Sequence, residues 1–366
     1  MKATSILLAL ALPVLSGCPG EVRQASSDDD SIQVILLGQA LIEHDPRPYL
    51  EAPLRTVTPI LSSADLVFTN LEVAVRNEGC ECVPTREGTF FHGAGPAVLD
   101  YLLDIKVDLL SLANNHSWDY GAPGIASTIS EATQRGFTAA GTGANLREAT
   151  APAYHELSGL KFALVAMATV NNPPEAAATE ARAGVNMLGL DDQADWDRNI
   201  AAIQEAARSA DVVIAYQHFQ VDDPGGWQRR WARATVDAGA SLYVSHGQPT
   251  LSGVELYRGR PIFYGLGNFI FHTRTEPGHY PDDVWESVIV EMRLARSGVQ
   301  SISLTPIALD QGVPGEFFFE KRGYPEVAQP ERGRGILQRL AELSSALGTT
   351  LALRDGQAFV ELEAAP

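Results

Sequence analysis

The segment LANNHSWDYG, Leu112 to Gly121, sets two amides, an imidazole and a carboxylate within six residues, directly behind the apolar run VDLLSL, Val107 to Leu112. Such groups can offer a carbonyl oxygen to a cation, pass a proton near neutral pH, or orient the group that does. The apolar run reads as a short strand buried on both faces, and in α/β proteins chemistry gathers where such strands give way to loops. A plainer reading is also open, in which Asn114 and Asn115 take left-handed turn conformations and His116 is an ordinary loop residue. Recurrence decides between them. Gln39 follows the run IQVILLG, Asn70 to Glu72 close ADLVFTNLE, His218 closes ADVVIAYQHF, and His246 closes SLYVSHG. One histidine at a strand end is usually structural, but several strand ends that each present N or O donors point to one convergent site.

The elements that must position these residues alternate along the chain. KFALVAMATV, PIFYGLGNFIF and WESVIVEMRL read as further strands, with VELYRG as an extended piece. VLDYLLDI, GIASTISEATQRG with Gly136 as its stop, RNIAAIQEAARS, WQRRWARATVDAG and the late GRGILQRLAELSSALG have helical periodicity. PPEAAATEARAG, residues 173–184, reads as an excursion loop. GTGAN is Gly-rich but lacks the Lys and the Ser or Thr of a phosphate-binding loop, so it is a turn. No internal repeat is visible.

At 366 residues and 45% apolar content the chain can bury one large α/β core or two smaller ones. Its formal charge is −18. That charge excludes a phosphate-gripping basic surface, so no nucleic-acid partner is expected, and it repels polyanions except where a cation or an arginine cluster such as Arg229, Arg230 and Arg233 intervenes. The start, MKATSILLALALPVLSGC, has one Lys, an apolar stretch and small residues before Cys18, and reads as a signal peptide over residues 1–17. Its ending LSGC resembles a bacterial lipobox, which implies lipidation of Cys18, a flexible tether over residues 18–30, and an exported protein held at the cell membrane by its anchor, facing the periplasm or the cell exterior. Loss of residues 1–17 removes only Lys2 among charged residues and takes the charge from −18 to −19. Cys80 and Cys82 fall in an exposed loop, as a disulfide or as free thiols; a metal role lacks a flanking His or Cys.

The ordered blocks VFTNLE, SLANNHSWDYGAPGI, AAGTGAN, AYQHF, VDAGASLYVSHG, GVELYRGRPIFYGLGNFIF and LSSALGT resemble the CapA-type poly-γ-glutamate capsule synthesis proteins, over most of residues 31–366. The resemblance implies a calcineurin-like metallophosphoesterase fold, an α/β sandwich of two mixed sheets flanked by helices with a metal site at the strand ends. It implies that Glu72, Asn115, His218 and His246 are metal ligands and that His116 is the catalytic residue, as the general acid or as the group that binds the leaving or attacking oxygen. Such an N/O set suits one divalent Mn, Fe or Zn ion. Asn70, Asn114, Asp119, His92 and Asn268 are placed around this set, as groups that orient ligands or touch substrate. Asp119 could instead cap the helix that begins near Pro123, His92 could be structural, and Asn268 could bond backbone in its Gly-rich turn.

The resemblance breaks at the second metal. The family pattern has Gly-Asp after the first strand where this chain has Gln39, and a His where it has Pro249. His44 and Asp45 could substitute if their loop folds inward, and Asp222 and Asp223 are either substrate contacts or solvated acids. The expectation is an exported protein that takes part in making, exporting or attaching an extracellular polymer, with a polymer synthetase or export machinery as its partner and a reduced, single-metal site. The alternatives are a stand-alone metal-dependent hydrolase of phosphoester or amide bonds and a non-catalytic surface-binding scaffold.

Overall fold

Strand Ile32–Leu36 sets the pattern of the molecule. Val34 and Leu36 enter the apolar cluster between two sheets, whereas Ile35 and Leu37 enter the cluster on the opposite face. That division is the two-residue period of a strand buried on both sides. The computed structural model describes residues 31–52, 54–223 and 225–362. The signal peptide, Cys18 and the tether expected from the sequence lie outside these residues.

The larger sheet has nine strands. Its order runs Leu351–Arg354, Gln357–Val360, Gly298–Leu309, Glu286–Ala295, Ile32–Leu36, Leu66–Asn70, Leu109–Ser111 and Thr138–Ala140, with Pro325–Val327 also paired to Gly298–Leu309. The last four strands of that order are parallel, and Glu286–Ala295 runs antiparallel beside them. The second sheet has six strands in the order Val254–Tyr257, Arg260–Phe263, Leu242–Gly247, Val212–Gln220, Leu160–Val170 and Ala153–Leu157, of which the middle four are parallel. Phe68 and Leu109 from one sheet meet Phe162, Ile214, Tyr216 and Val244 from the other in the shared core.

Helices close the outer faces. Ala163, Val165 and Met167 on the far side of the six-stranded sheet pack with Ile203 of helix Gln193–Ser209 and Trp231 of helix Trp227–Asp237. Val98, Leu99 and Leu102 of helix Ala97–Asp104 cover the outer face of the nine-stranded sheet beside Ile35 and Val67. This is the α/β sandwich of two mixed sheets flanked by helices that the resemblance implies.

Two elements depart from the sequence reading. PIFYGLGNFIF is not one strand: Arg260–Phe263 stays in the six-stranded sheet, while Asn268–Phe271 leaves it and pairs in parallel with Gln39–Leu41. Gly267 makes the break at φ +71, and a side chain there would approach the Glu286 carbonyl at 3.0 Å. The chain also closes with a hairpin, Leu351–Arg354 and Gln357–Val360, that completes the edge of the larger sheet.

Candidate active site

Both parallel runs end on the same side of the molecule. Glu72 follows strand Leu66–Asn70, the NNH segment follows Leu109–Ser111, and His218 and His246 stand near the carboxyl ends of their own strands. His218 and His246 are register partners on adjacent parallel strands, so their side chains leave the same face of the six-stranded sheet. The crevice beyond the carboxyl ends of parallel strands is where such sheets bind ligands. Here it is a cleft of about 380 Å³, lined by Gln39, Glu72, Arg86, His92, Asn115 and His116 among others. A larger depression of about 580 Å³ lies between helix Pro330–Ser345 and the closing hairpin, but no His or Glu among the described residues lines it.

Glu72 Oε1 lies 3.5 Å from His218 Nε2, and both side chains are buried. The other ring nitrogen of His218 is fixed by Asn70 Nδ2 at 3.4 Å and by the Tyr216 hydroxyl at 3.3 Å. Asn114 in turn donates to Asn70 Oδ1 at 3.1 Å and to the Leu71 carbonyl at 2.7 Å. Asn70 and Asn114 therefore orient His218 and the chain leading to Glu72. Burial, aided by the charge of Asp119, pushes the Glu72 carboxyl well above the ordinary range. Burial also holds His218 well below the usual imidazole value and takes His246 down to about 3, so both rings are neutral.

Five polar atoms in this corner are buried without a partner: Glu72 Oε2, Asn115 Oδ1, His218 Nε2 and both ring nitrogens of His246. Buried polar atoms are nearly always satisfied, and several unpaired in one place call for an absent partner. Their types, a carboxylate, a carbonyl and neutral imidazoles, are those a divalent first-row ion takes. Among the described residues no three His, Cys, Asp or Glu side chains are grouped closely enough to hold an ion by themselves. Of these groups, Glu72 and His218 stand within ion-pair distance of each other.

Beside them lies an imidazole–carboxylate pair. His116 Nδ1 is 2.9 Å from Asp119 Oδ2, and Asn115 Nδ2 is 2.9 Å from His116 Nε2. Asp119 Oδ2 also accepts the His92 backbone N–H at 2.8 Å, and Arg86 Nε stands 2.8 Å from Asp119 Oδ1. Asp119 is not a helix cap: helix Gly121–Gln134 begins behind Tyr120 and has no side-chain cap. Burial holds His116 well below the usual imidazole value, with the nearby His92 and Arg86 acting in the same direction, so it rests neutral. His92 packs edge-on against His116 with ring centroids 4.4 Å apart, and its Nδ1 pairs with Glu43 at 2.6 Å.

Other residues take structural places. Gln39 donates to Asn268 Oδ1 at 2.9 Å and accepts from the Gly247 N–H at 3.0 Å, which uses both ends of its amide. Asn268 Nδ2 bonds the carbonyls of Val284 at 2.9 Å and Pro249 at 3.3 Å, so its amide is spent on these two backbone carbonyls and on Gln39. His44 stacks on His272 and bonds the Glu320 carbonyl, and Asp45 pairs with Arg47, so neither turns toward Gln39. Asp222 and Asp223 are solvent-exposed. Arg229 and Arg233 are paired with Glu255, and Arg230 bonds the Gly225 carbonyl, so the cluster is not a free cationic patch. Cys80 and Cys82 form a disulfide with Cα atoms 5.1 Å apart.

Arg86 and Glu43 were not singled out from the sequence. Nothing in the local text marks Arg86 in the loop CVPTREG, and Glu43 meets His92 only through a contact spanning 49 residues.

Residues 34–273 match the model of a family described as bacterial capsule synthesis protein PGA_cap. This chain belongs to that family. The PGA biosynthesis protein CapA of Bacillus subtilis (strain 168) is 29% identical over 287 residues, 76% of this chain and 71% of the relative. The capsule biosynthesis protein CapA of Bacillus anthracis is 27% identical over 286 residues, 76% and 67% of the two chains. A probable polyglutamine synthesis accessory protein of Mycobacterium tuberculosis (strain ATCC 25618 / H37Rv) is 27% identical over 250 residues, 64% of this chain and 61% of its own. The matched span holds all the cleft-lining residues except Tyr280.

Proposed function

We propose that this family member takes part in the synthesis, export or attachment of an extracellular polyglutamate-type capsule polymer, and that it acts on the polymer's amide bonds at the strand-end cleft. The names of its relatives supply the polymer class. The observation that carries the chemistry is the set of unpartnered buried donors of Glu72, Asn115, His218 and His246 beside the Asp119–His116 pair. In this reading the chain is an exported lipoprotein anchored through Cys18. Among the described residues no helix is long and apolar enough to cross a membrane.

Glu72, Asn115, His218 and His246 would hold one divalent ion, of the Mn, Fe or Zn class, which would supply electrophilic assistance to the scissile carbonyl. His116 does the proton work. With Nδ1–H given to Asp119, its Nε2 is the basic nitrogen. It takes a proton from water as the water oxygen bonds to the amide carbon, then returns that proton to the nitrogen as the C–N bond breaks. Asp119 fixes the ring and stabilises the charge it carries between those steps. The polymer synthetase or its export machinery is the partner that presents the chain.

Incubation of the purified protein with poly-γ-glutamate and Mn²⁺, followed by sizing of the polymer, tests this reading. The expected result is a metal-dependent fall in chain length that His116→Ala abolishes. Polymer of unchanged length, with ion bound at the cleft, would overturn the hydrolytic step.

A further inference from the structure

We propose that Arg86 is a positioning residue that sets, through Asp119, the tautomer of His116 and with it the direction of the Asn115 amide. Four groups form a chain. The guanidinium of Arg86 faces Asp119 Oδ1 at 2.8 Å, Asp119 Oδ2 meets His116 Nδ1 at 2.9 Å, and His116 Nε2 meets Asn115 Nδ2 at 2.9 Å. At its far end Asn115 Oδ1 is left buried and unpartnered.

The polarity of that chain is fixed from its cationic end. Asp119 has no exposed surface, and burial pushes its pKa up to about 6 despite the His92 N–H and the Arg86 charge, which pull it down. Arg86 supplies charge here and not an aligned hydrogen bond, since Asp119 Oδ1 has no hydrogen-bond partner while Arg86 donates to the Asn115 carbonyl at 3.0 Å and to Asn172 Oδ1 at 3.5 Å. An ionised Asp119 can only accept, so His116 must donate from Nδ1 and accept at Nε2. Asn115 must then offer its NH₂ to Nε2, which turns its oxygen the other way. Without the guanidinium a protonated Asp119 would donate to Nδ1, Nε2 would carry the hydrogen, and the amide would turn over.

The loop delivers Arg86 to that place. Residues 76–92 have no helix or strand. Thr85 bonds the Asp119 carbonyl through its N–H and the Trp118 carbonyl through its hydroxyl, both at 2.9 Å, so the residue before Arg86 is pinned to the turn that carries Asp119.

The test reads the His116 ring nitrogens by NMR of ¹⁵N-histidine-labelled protein at neutral pH. No metal or substrate is added, so its outcome is separate from that of the hydrolytic reading. Wild type is expected to show hydrogen on Nδ1 and none on Nε2. Arg86→Ala is expected to shift the hydrogen to Nε2 or to average the two sites, and added guanidinium ion is expected to restore the wild-type pattern. Arg86→Lys, which keeps the charge, is expected to retain it. The other histidines report folding, and Asp119→Asn shows that the signal responds. An Arg86→Ala protein with His116 signals unchanged, while Asp119→Asn alters them, would overturn the proposal. So would Arg86→Lys behaving as Arg86→Ala, because charge would then not be the cause.

Discussion

The Nδ1 atom of His218 is held by Asn70 and Tyr216, and this leaves Nε2 aimed at Glu72 instead of free to turn. Groups that orient a ligand in this way typically carry a 10–100-fold share of metal affinity. Asn70→Ala is therefore expected to weaken Mn²⁺ binding by roughly that factor in a calorimetric titration, and His218→Ala to abolish it. An Asn70→Ala protein that binds as tightly as wild type would remove Asn70 from the account. At this scale the sequence was readable where a donor follows an apolar run, as with Glu72, His116, His218 and His246. It was opaque for Gln39 and Asn268, whose amides meet across 229 residues and satisfy one another. Arg86 was equally hidden, because its meaning lies in a buried carboxylate 33 positions away.

Among elements, strand Leu242–Gly247 and helix Trp227–Asp237 carry the sharpest expectations. Gly247 has φ +115, and a Cβ there would sit 2.4 Å from the Phe219 carbonyl oxygen. Gly247→Ala is expected to destabilise the fold by more than about 1 kcal/mol in urea unfolding, and to displace His246 beside it. Glu255 on strand Val254–Tyr257 is held by Arg229 and Arg233 of the helix and by the Tyr264 hydroxyl. Burial raises its pKa, but those hydrogen bonds outweigh burial and the net direction is downward. A lowered folded value means that the stabilisation is complete above the unfolded pKa of about 4.3 and disappears as pH falls through the folded one. Glu255→Gln should therefore melt below wild type at neutral pH, with the gap closing at acidic pH. A constant gap across that range would show that charge is not what Glu255 contributes. Apolar periodicity made most strands and helices legible. PIFYGLGNFIF misled because a run of apolar residues does not show that Gly267 turns the chain out of one sheet and onto Gln39–Leu41.

Over the whole molecule, the formal charge of −18 opposes the approach of a polyanion, and Arg86 is the one Lys or Arg among the described residues lining the cleft. Repulsion between like-charged molecules weakens as salt screens it. Association of fluorescent oligoglutamate with metal-free protein is thus expected to strengthen from low to near-physiological salt, the reverse of binding to a basic surface. Association that weakens with salt would reveal a cationic surface that these residues do not provide. The two-sheet architecture and the family were legible from the sequence because ordered blocks of strand-end residues run through it. The closing hairpin Leu351–Val360 was not, since it is short and bears no such residues.

The proposed binding of one ion by Glu72, Asn115, His218 and His246 is examined most directly by diffraction from crystals soaked in Mn²⁺, with the anomalous signal of the metal. It predicts a single peak in the cleft at about 2.0–2.2 Å from Glu72 and from His218 Nε2, lost in His218→Ala. Two peaks bridged by Glu72, or one peak held elsewhere with Glu72 and His218 uninvolved, would contradict it.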